Sequence, residues 1–388
     1  MIINSLLDND WYKFTMLQAV LHNYYTANVK YRYMCRTKGY KFSEKQVQEI
    51  ITQVKYLCTR ELNDQELYYI GSFPYIKPDL LEFLKYFKLD YRHVTINDEA
   101  ECGLNIEIEG SWASTILFEV PILAIVSEIA AQDRHGYAFN RMQEITDPLR
   151  RKIDLANGYN GDLKFADFGT RRRFSYDVQS LVVNACKENA EGFVGTSNVW
   201  FAYDLGLKPI GTMAHEWLMM HQALGNTRLK DFQKVALEVW AQEYRGELGI
   251  ALTDTVGVDA FLRDFDLYFC KLFDGVRHDS GCPKEFGGKI LDHYRKNGID
   301  PMTKTIVFSD GLNFELMKEL YQIFSRNITV SFGIGTNLTH DVGTKPLSMV
   351  IKPVMCNGEP VAKLPDSPGK TMDVDAGYLQ HLKSVFGR

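Results

Sequence analysis

The chain lacks the marks of several protein classes. Its seven cysteines, at positions 35, 58, 102, 186, 270, 282 and 356, form no C-x-x-C pair. That odd, scattered set argues against a disulfide framework or a zinc knuckle and fits reduced thiols. Positive charge is not in excess: 44 Lys and Arg stand against 49 Asp and Glu, a net charge of −5. Nucleic-acid binding and a basic membrane face therefore have no footing in composition. The opening MIINSLLDND carries neither a basic flank nor an apolar core, so no secretory signal is expected. The most apolar run, 116–131, is broken by Glu119, Pro121 and Glu128. It falls short of the about 20 apolar residues of a bilayer span and reads as a buried helix beginning near Pro121. No repeat or low-complexity tract stands out. These absences leave a cytoplasmic protein with no nucleic-acid or membrane partner, long enough for one large core and a smaller one.

What is present is a rhythm. Between Leu163 and Ile334, short apolar segments alternate with polar turns and amphipathic stretches. The candidate strands are LKFADF (163–168), GFVGTS (192–197), KPIGTM (208–213), LGIALTD (248–254), FDGVRHD (273–279), KTIVFSD (304–310) and ITVSFGI (328–334). Helical periodicity fills gaps such as Asp231–Arg245 and Val258–Leu272. Strands alternating with helices pair in parallel through right-handed crossovers, which predicts an α/β barrel of seven strands over 126–341. Chemistry-bearing residues gather at the strand ends: Asp167, Ser197, Asp254, Arg277, Asp279 and Asp310. Helix capping accounts for one or two of them. The whole set at one rim points to the C-terminal face where barrel enzymes build their sites.

Residues 1–125 read as a separate α+β domain with strands at Val29–Arg32 and Leu104–Glu109. The tail, 342–388, holds a further strand, Met349–Pro353, and an Asn357-Gly358 hairpin signal. A closed barrel has no room for that strand, so the tail is expected to join the N-terminal domain.

The segment PIGTMAHEWLMMH (209–221) resembles a zinc-binding H-E-x-x-H helix at first sight. Its histidines are six apart, however, which on a helix separates them by about 120°; zinc ligation needs a shared face. His215 then reads either as a cap residue or as a general base or nucleophile at the rim. The run Asp167-Phe168-Gly169-Thr170-Arg171-Arg172-Arg173 suits a phosphate, pyrophosphate or carboxylate, with a solvated basic patch as the alternative. Gly333-Ile334-Gly335-Thr336 follows the last strand, where barrels often bind phosphate. No strand ends in lysine, which disfavours Schiff-base sugar-phosphate chemistry. FSDGL (308–312) lacks the paired acids and Thr-rich loop of type I phosphoribosyltransferases. Lys345, Lys363 and Lys370 read equally as phosphate contacts or as ordinary surface lysines.

Taken in order, SLLDNDWYKFTM, LFEVPILAIVSE, FADFGTRRRFS, FVGTSNVWFA, GTMAHEW, GIALTDT, GVRHDSGCP, VFSDGLN, SFGIGTNLT and CNGEPVAKLPDSPGKT run nearly end to end. With them the sequence closely resembles the nicotinate phosphoribosyltransferase family. The resemblance implies the type II phosphoribosyltransferase fold, an irregular seven-stranded α/β barrel with an N-terminal domain, usually as a homodimer. It implies an ATP-coupled ligase that joins nicotinate to 5-phosphoribosyl-1-pyrophosphate with Mg²⁺, the first step of NAD synthesis from nicotinate. By the same resemblance His215 becomes phosphorylated, Asp254 orients it, and Asp279 lies by the phosphoribosyl group and Mg²⁺. Phe168 stacks on the pyridine ring, and Tyr12 from the partner subunit covers its other face. Arg171 and Arg277 hold anions, Ser309, Asp310 and Gly311 face ribose and phosphate, and Gly333, Gly335 and Thr336 cradle the 5′-phosphate. A nicotinamide-using relative has Gly-Thr-Asp where this chain has Gly195-Thr196-Ser197. Two like charges at ~4 Å cost about 4 kcal/mol at an effective dielectric of 20, so Ser197, with Thr196 before it, predicts nicotinate over nicotinamide.

Overall fold

The computed structural model describes residues 1–135, 142–225, 227–367 and 375–388. Two sheets organise them. The first is antiparallel and uses β1 (Asn28–Cys35), β2 (Val94–Asn97), β3 (Asn105–Ser111), β10 (Met349–Cys356) and β11 (Glu359–Pro360) in the order β11-β10-β1-β3-β2. On β1 the inward Val29, Tyr31 and Tyr33 are buried, the alternation of a sheet with one covered face. β10 pairs along β1 from Val29–Cys356 to Cys35–Met349, so the tail strand does join the N-terminal sheet. Asn357 and Gly358 adopt φ of 49° and 84°, the left-handed pair that a tight two-residue hairpin requires.

The second sheet is parallel. Its strands are β4 (Phe165–Asp167), β5 (Phe193–Thr196), β6 (Ile250–Leu252), β7 (Gly275–His278), β8 (Thr305–Phe308) and β9 (Thr329–Ile334), in the order β5-β4-β9-β8-β7-β6. The seventh expected strand, 208–213, is present only as a bridge from Pro209 to Thr196. Its Ile210 N–H donates to Thr196 O at 2.8 Å on one side, and Thr212 Oγ1 donates to Ile250 O at 2.8 Å on the other. That segment thus spans the gap between β5 and β6, and the barrel is irregular there. Proline supplies no N–H to a ladder, and Gly211 at φ 149° weakens extension further. Phe308 and Phe332 stack at 5.9 Å between ring centroids and help fill the interior.

Two helices depart from expectation. The periodic stretch 258–272 is divided into Val258–Asp264 and Leu267–Leu272, with Asp266 capping the second through Tyr268 N. The apolar run begins as a helix at Glu119, two residues before Pro121. The stretch Trp112–Gln132 has the length and mean hydropathy (1.7) of a membrane span, but 94% of its apolar window is buried inside the protein. It is a core element.

Candidate active site

His215 opens the short helix His215–Met220 directly after the bridging segment. The ring is buried at 4% exposure. Its Nε2 lies 2.7 Å from Asp254 Oδ1, and its Nδ1 lies 3.7 Å from Asp279 Oδ2. Burial, then the charge of Lys363, pushes the imidazole down to about 4, against the pull of Asp254. The ring is therefore neutral at pH 7. A carboxylate only accepts hydrogen bonds, so Nε2 carries the proton and Nδ1 the free lone pair.

Asp254, two residues beyond β6, anchors this arrangement. Its Oδ2 accepts from Ser280 Oγ at 2.5 Å and from Lys363 Nζ at 2.7 Å. Burial alone would raise its pKa; Lys363 and His215 together hold it well below the usual carboxylate range. One ligand atom each from His215, Asp254 and Asp279 lies within 4.8 Å of the others. Both Asp254 oxygens are already engaged, which leaves the Asp279 carboxylate, 31% exposed, as the oxygen donor suited to a hard cation such as Mg²⁺. Ser309 Oγ donates to Asp279 Oδ1 at 3.2 Å. Asp310 interacts with the charge of Arg172, and Gly311, at φ 61°, makes the exposed turn that follows.

Phe168 leaves β4 with its N–H on Ile334 O at 2.8 Å. Its partly buried ring lies over Gly333, where an added Cβ would sit 2.2 Å from Phe168 Cδ2. Gly333 therefore seats the aromatic ring. Gly335 and Thr336, one turn on, are only partly buried. Gly333→Ala is expected to displace Phe168 and raise the KM for the aromatic substrate by about tenfold, a loss of roughly 1.4 kcal/mol. Steady-state kinetics with the melting temperature as a control checks this.

The three arginines part company. Arg173 is fully buried and makes two 2.7 Å bonds to the Asp8 carboxylate, so it fastens the N-terminal segment. Arg171 is 39% exposed, with Nη1 3.5 Å from Glu119 Oε1, and interacts with Tyr12, Glu119, Asp10 and Asp279. Arg172 is pulled down by burial, then by Arg171, and Arg36 acts the same way. Arg277, next to last in β7, has a buried Nε with no hydrogen-bond partner among the described residues, a donor left for an anion.

Tyr12 reaches this rim from the same chain. It belongs to the helix Trp11–Asn23 and is 7% exposed. Its backbone packs against Gly211, where a Cβ would meet Tyr12 N at 3.4 Å. Trp11 N–H donates to Ser197 O at 2.7 Å, which stitches the N-terminal segment onto the strand end. The chain's own Tyr12 stands beside Arg171.

Two further expectations change. Thr196 is fully buried, and its Oγ1 donates to Asp167 Oδ2 at 2.8 Å, so it faces the interior and not a substrate. Asp167 is pushed up to about 6 by burial while accepting from Gln179, Thr196 and Gly169, a structural hub at a strand end. Ser197 Oγ donates to Asp10 Oδ1 at 2.8 Å. The proton reserved for a substrate carboxylate is already given away, to a carboxylate that enters from the N-terminal segment.

Sequence reasoning missed Arg36, Arg172 as distinct from its neighbours, and Lys352. Lys352, on β10, is pushed down to about 7 by burial, then by Lys363, and also feels Glu119, Arg171 and Asp279. Strand alternation on β1 and β10 assigns only a face, so nothing local marks Arg36 or Lys352 as barrel-rim residues. Lys363 is buried at the site, Lys345 is exposed, and Lys370 lies outside the described residues.

Both halves of the chain match one known protein family. The nicotinate phosphoribosyltransferase (NAPRTase) N-terminal domain matches residues 7–127, and the nicotinate phosphoribosyltransferase (NAPRTase) family matches residues 163–388. The chain is 50% identical over 390 residues to nicotinate phosphoribosyltransferase of Xanthomonas euvesicatoria pv. vesicatoria, covering 100% of this chain and 98% of the relative. Identity to the Burkholderia mallei protein of that name is 49% over 395 residues, covering 100% and 97%. The crystal structure of nicotinate phosphoribosyltransferase from Vibrio cholerae matches with a TM-score of 0.93 at 40% identity, covering 100% of this chain and 94% of that one. The Porphyromonas gingivalis enzyme's structure matches at 0.94 and 33% identity, with both chains covered in full. With coverage of this extent and one rim that gathers the histidine, the carboxylates and the cations, the chain belongs to the nicotinate phosphoribosyltransferase family.

Proposed function

We propose that this enzyme transfers the phosphoribosyl group of 5-phosphoribosyl-1-pyrophosphate to nicotinate, giving nicotinate mononucleotide and pyrophosphate, with ATP hydrolysis coupled through His215. The carrying observation is the imidazole pinned by Asp254 at Nε2 with Nδ1 turned toward the rim. In this reading Nδ1 attacks the γ-phosphorus of ATP, the bond to ADP breaks, and water later releases phosphate from the phosphohistidine. Departure of pyrophosphate from C1 of the ribose leaves a cationic carbon, and the pyridine nitrogen supplies the electron pair of the new bond. Arg172, Arg277, Lys352 and Lys363 suit the leaving pyrophosphate, while Phe168 and Tyr12 flank the base and orient its nitrogen. Asp279 fits Mg²⁺, which when bound supplies charge to the pyrophosphate oxygens. A cytoplasmic setting accords with the free cysteines.

One observation favours a second base. Asp10 puts a carboxylate beside Ser197, as the nicotinamide-using relative does. Arg171 opposes it, and on balance of charge nicotinate remains preferred. A coupled assay for mononucleotide formation, run with each base and with or without ATP, tests the proposal. The expected result is ATP-stimulated turnover of nicotinate with kcat/KM at least about tenfold above nicotinamide, roughly 1.4 kcal/mol. Equal use of both bases would refute the specificity, and ATP indifference would refute the coupling.

A further inference from the structure

A buried ion network joins the two halves of the site. Lys13 follows Tyr12 in the N-terminal helix and is fully buried. Its ammonium contacts Glu119 Oε2 at 2.6 Å and also bonds Glu216 Oε2. Glu216 is the residue after His215 in the same short helix. Its other oxygen accepts from Tyr31 OH and Trp112 Nε1, both at 2.6 Å. Glu119 turns its second oxygen toward Arg171 at 3.5 Å. One cation thus ties together Tyr12, the arginine at the base side and the helix that carries the histidine.

The charges explain what this does. A buried ammonium without carboxylates, or two buried carboxylates without the ammonium, would each be strongly unfavourable. With Lys13 holding one oxygen of Glu119 at 2.6 Å, the other makes only a long, 3.5 Å contact with Arg171 Nη1, and the partly exposed guanidinium keeps donors for an incoming anion. With Lys13 holding Glu216, the first turn of the histidine's helix stays in register with Asp254.

We propose that Lys13 is a positioning residue that keeps Arg171 open to its substrate anion and holds His215 in place, through Glu119 and Glu216 respectively. The histidine branch rests on the phosphohistidine reading above; the arginine branch does not. Three variants of the full-length enzyme separate the branches, each followed by KM for nicotinate and for phosphoribosyl pyrophosphate, by the rate of labelling from γ-labelled ATP, and by melting temperature. Glu119→Gln removes the competitor for Arg171 and should lower the KM of one anionic substrate several-fold while labelling stays within about twofold. Glu216→Gln should slow labelling by about tenfold and leave both KM values within about twofold. Lys13→Met should raise the same KM by about tenfold and slow labelling as well, because an unrestrained Glu119 then closes on Arg171. Lower melting temperatures without this division of effects, or a change of KM in the same direction for Glu119→Gln and Lys13→Met, would overturn the proposal. Should Lys13→Met fail to fold, the contrast between the two glutamine variants decides. If the wild-type enzyme takes no label, the phosphohistidine reading fails by itself, and opposite KM shifts in Glu119→Gln and Lys13→Met still judge the arginine branch.

Discussion

Replacing His215 with alanine is expected to reduce acid-labile, alkali-stable label from γ-labelled ATP to background and to remove ATP stimulation of product formation. The expectation rests on placement. His221, the other histidine of that helix, is spoken for: its Nδ1–H donates to Trp217 O at 2.6 Å and its Nε2 accepts from the Tyr24 hydroxyl at 2.9 Å, deep in the core. Only His215 joins a free ring nitrogen to the cationic rim among the residues of the bridging segment and its helix. The pH dependence follows from burial. With its pKa held at about 4, the ring should stay reactive from about pH 8 to about pH 5, where an unperturbed histidine of about 6.5 would be mostly protonated. Label retained in His215→Ala, or a labelling rate that halves near pH 6.5 at constant ATP ionisation, would count against this assignment. Stability moves the same way. The unfolded chain protonates this ring at its ordinary pKa and the folded chain only near 4, so stability is full above 6.5 and falls as pH drops from 6.5 toward 4.

Asp254→Asn is expected to cost both stability and chemistry. The carboxylate serves His215 on one oxygen and Ser280 and Lys363 on the other. Amide replacement leaves the buried Lys363 ammonium without its counter-ion, and breaking a buried pair from one side costs about 3–5 kcal/mol. It also removes the charge that fixes the imidazole tautomer, so labelling of His215 should fall by about a hundredfold, the upper end of losses for a carboxylate that orients a histidine. The double variant Asp254→Asn with Lys363→Met separates these effects. Removing both partners should restore most of the melting temperature but none of the labelling rate. A double variant that regains labelling would show that Asp254 acts only as Lys363's counter-ion.

The strand rhythm and its polar ends were legible because parallel strands with both faces covered are short apolar runs, and what ends them is the loop chemistry. His215, Asp254 and Asp279 met as expected for that reason. The 208–213 segment misled because its apolar pattern resembles a strand, while Pro209 and Gly211 deny it a ladder. Thr196 and Ser197 sit where a substrate residue should, yet their hydroxyls are spent on Asp167 and Asp10. Those acceptors lie 29 and 187 residues away, a separation that periodicity cannot reveal. Arg173 differs from Arg171 only in its rotation around one tight turn, and sequence gives no sign of that rotation. Nothing local marks Lys13, since a buried cation is recognised only by its two distant glutamates.

The pairing of β1 with β10 has a consequence for biosynthesis. Three hundred and more residues leave the ribosome between the two partners, so one edge of β1 waits throughout most of translation. Lys352 and Lys363 arrive with the late strand and its hairpin, and until then Asp254 has no ammonium beside it. A nascent chain stalled before residue 349 would present an open strand edge, the kind of surface that recruits chaperones or self-associates. Asp254 thus gains its ammonium partner only at the last step of synthesis.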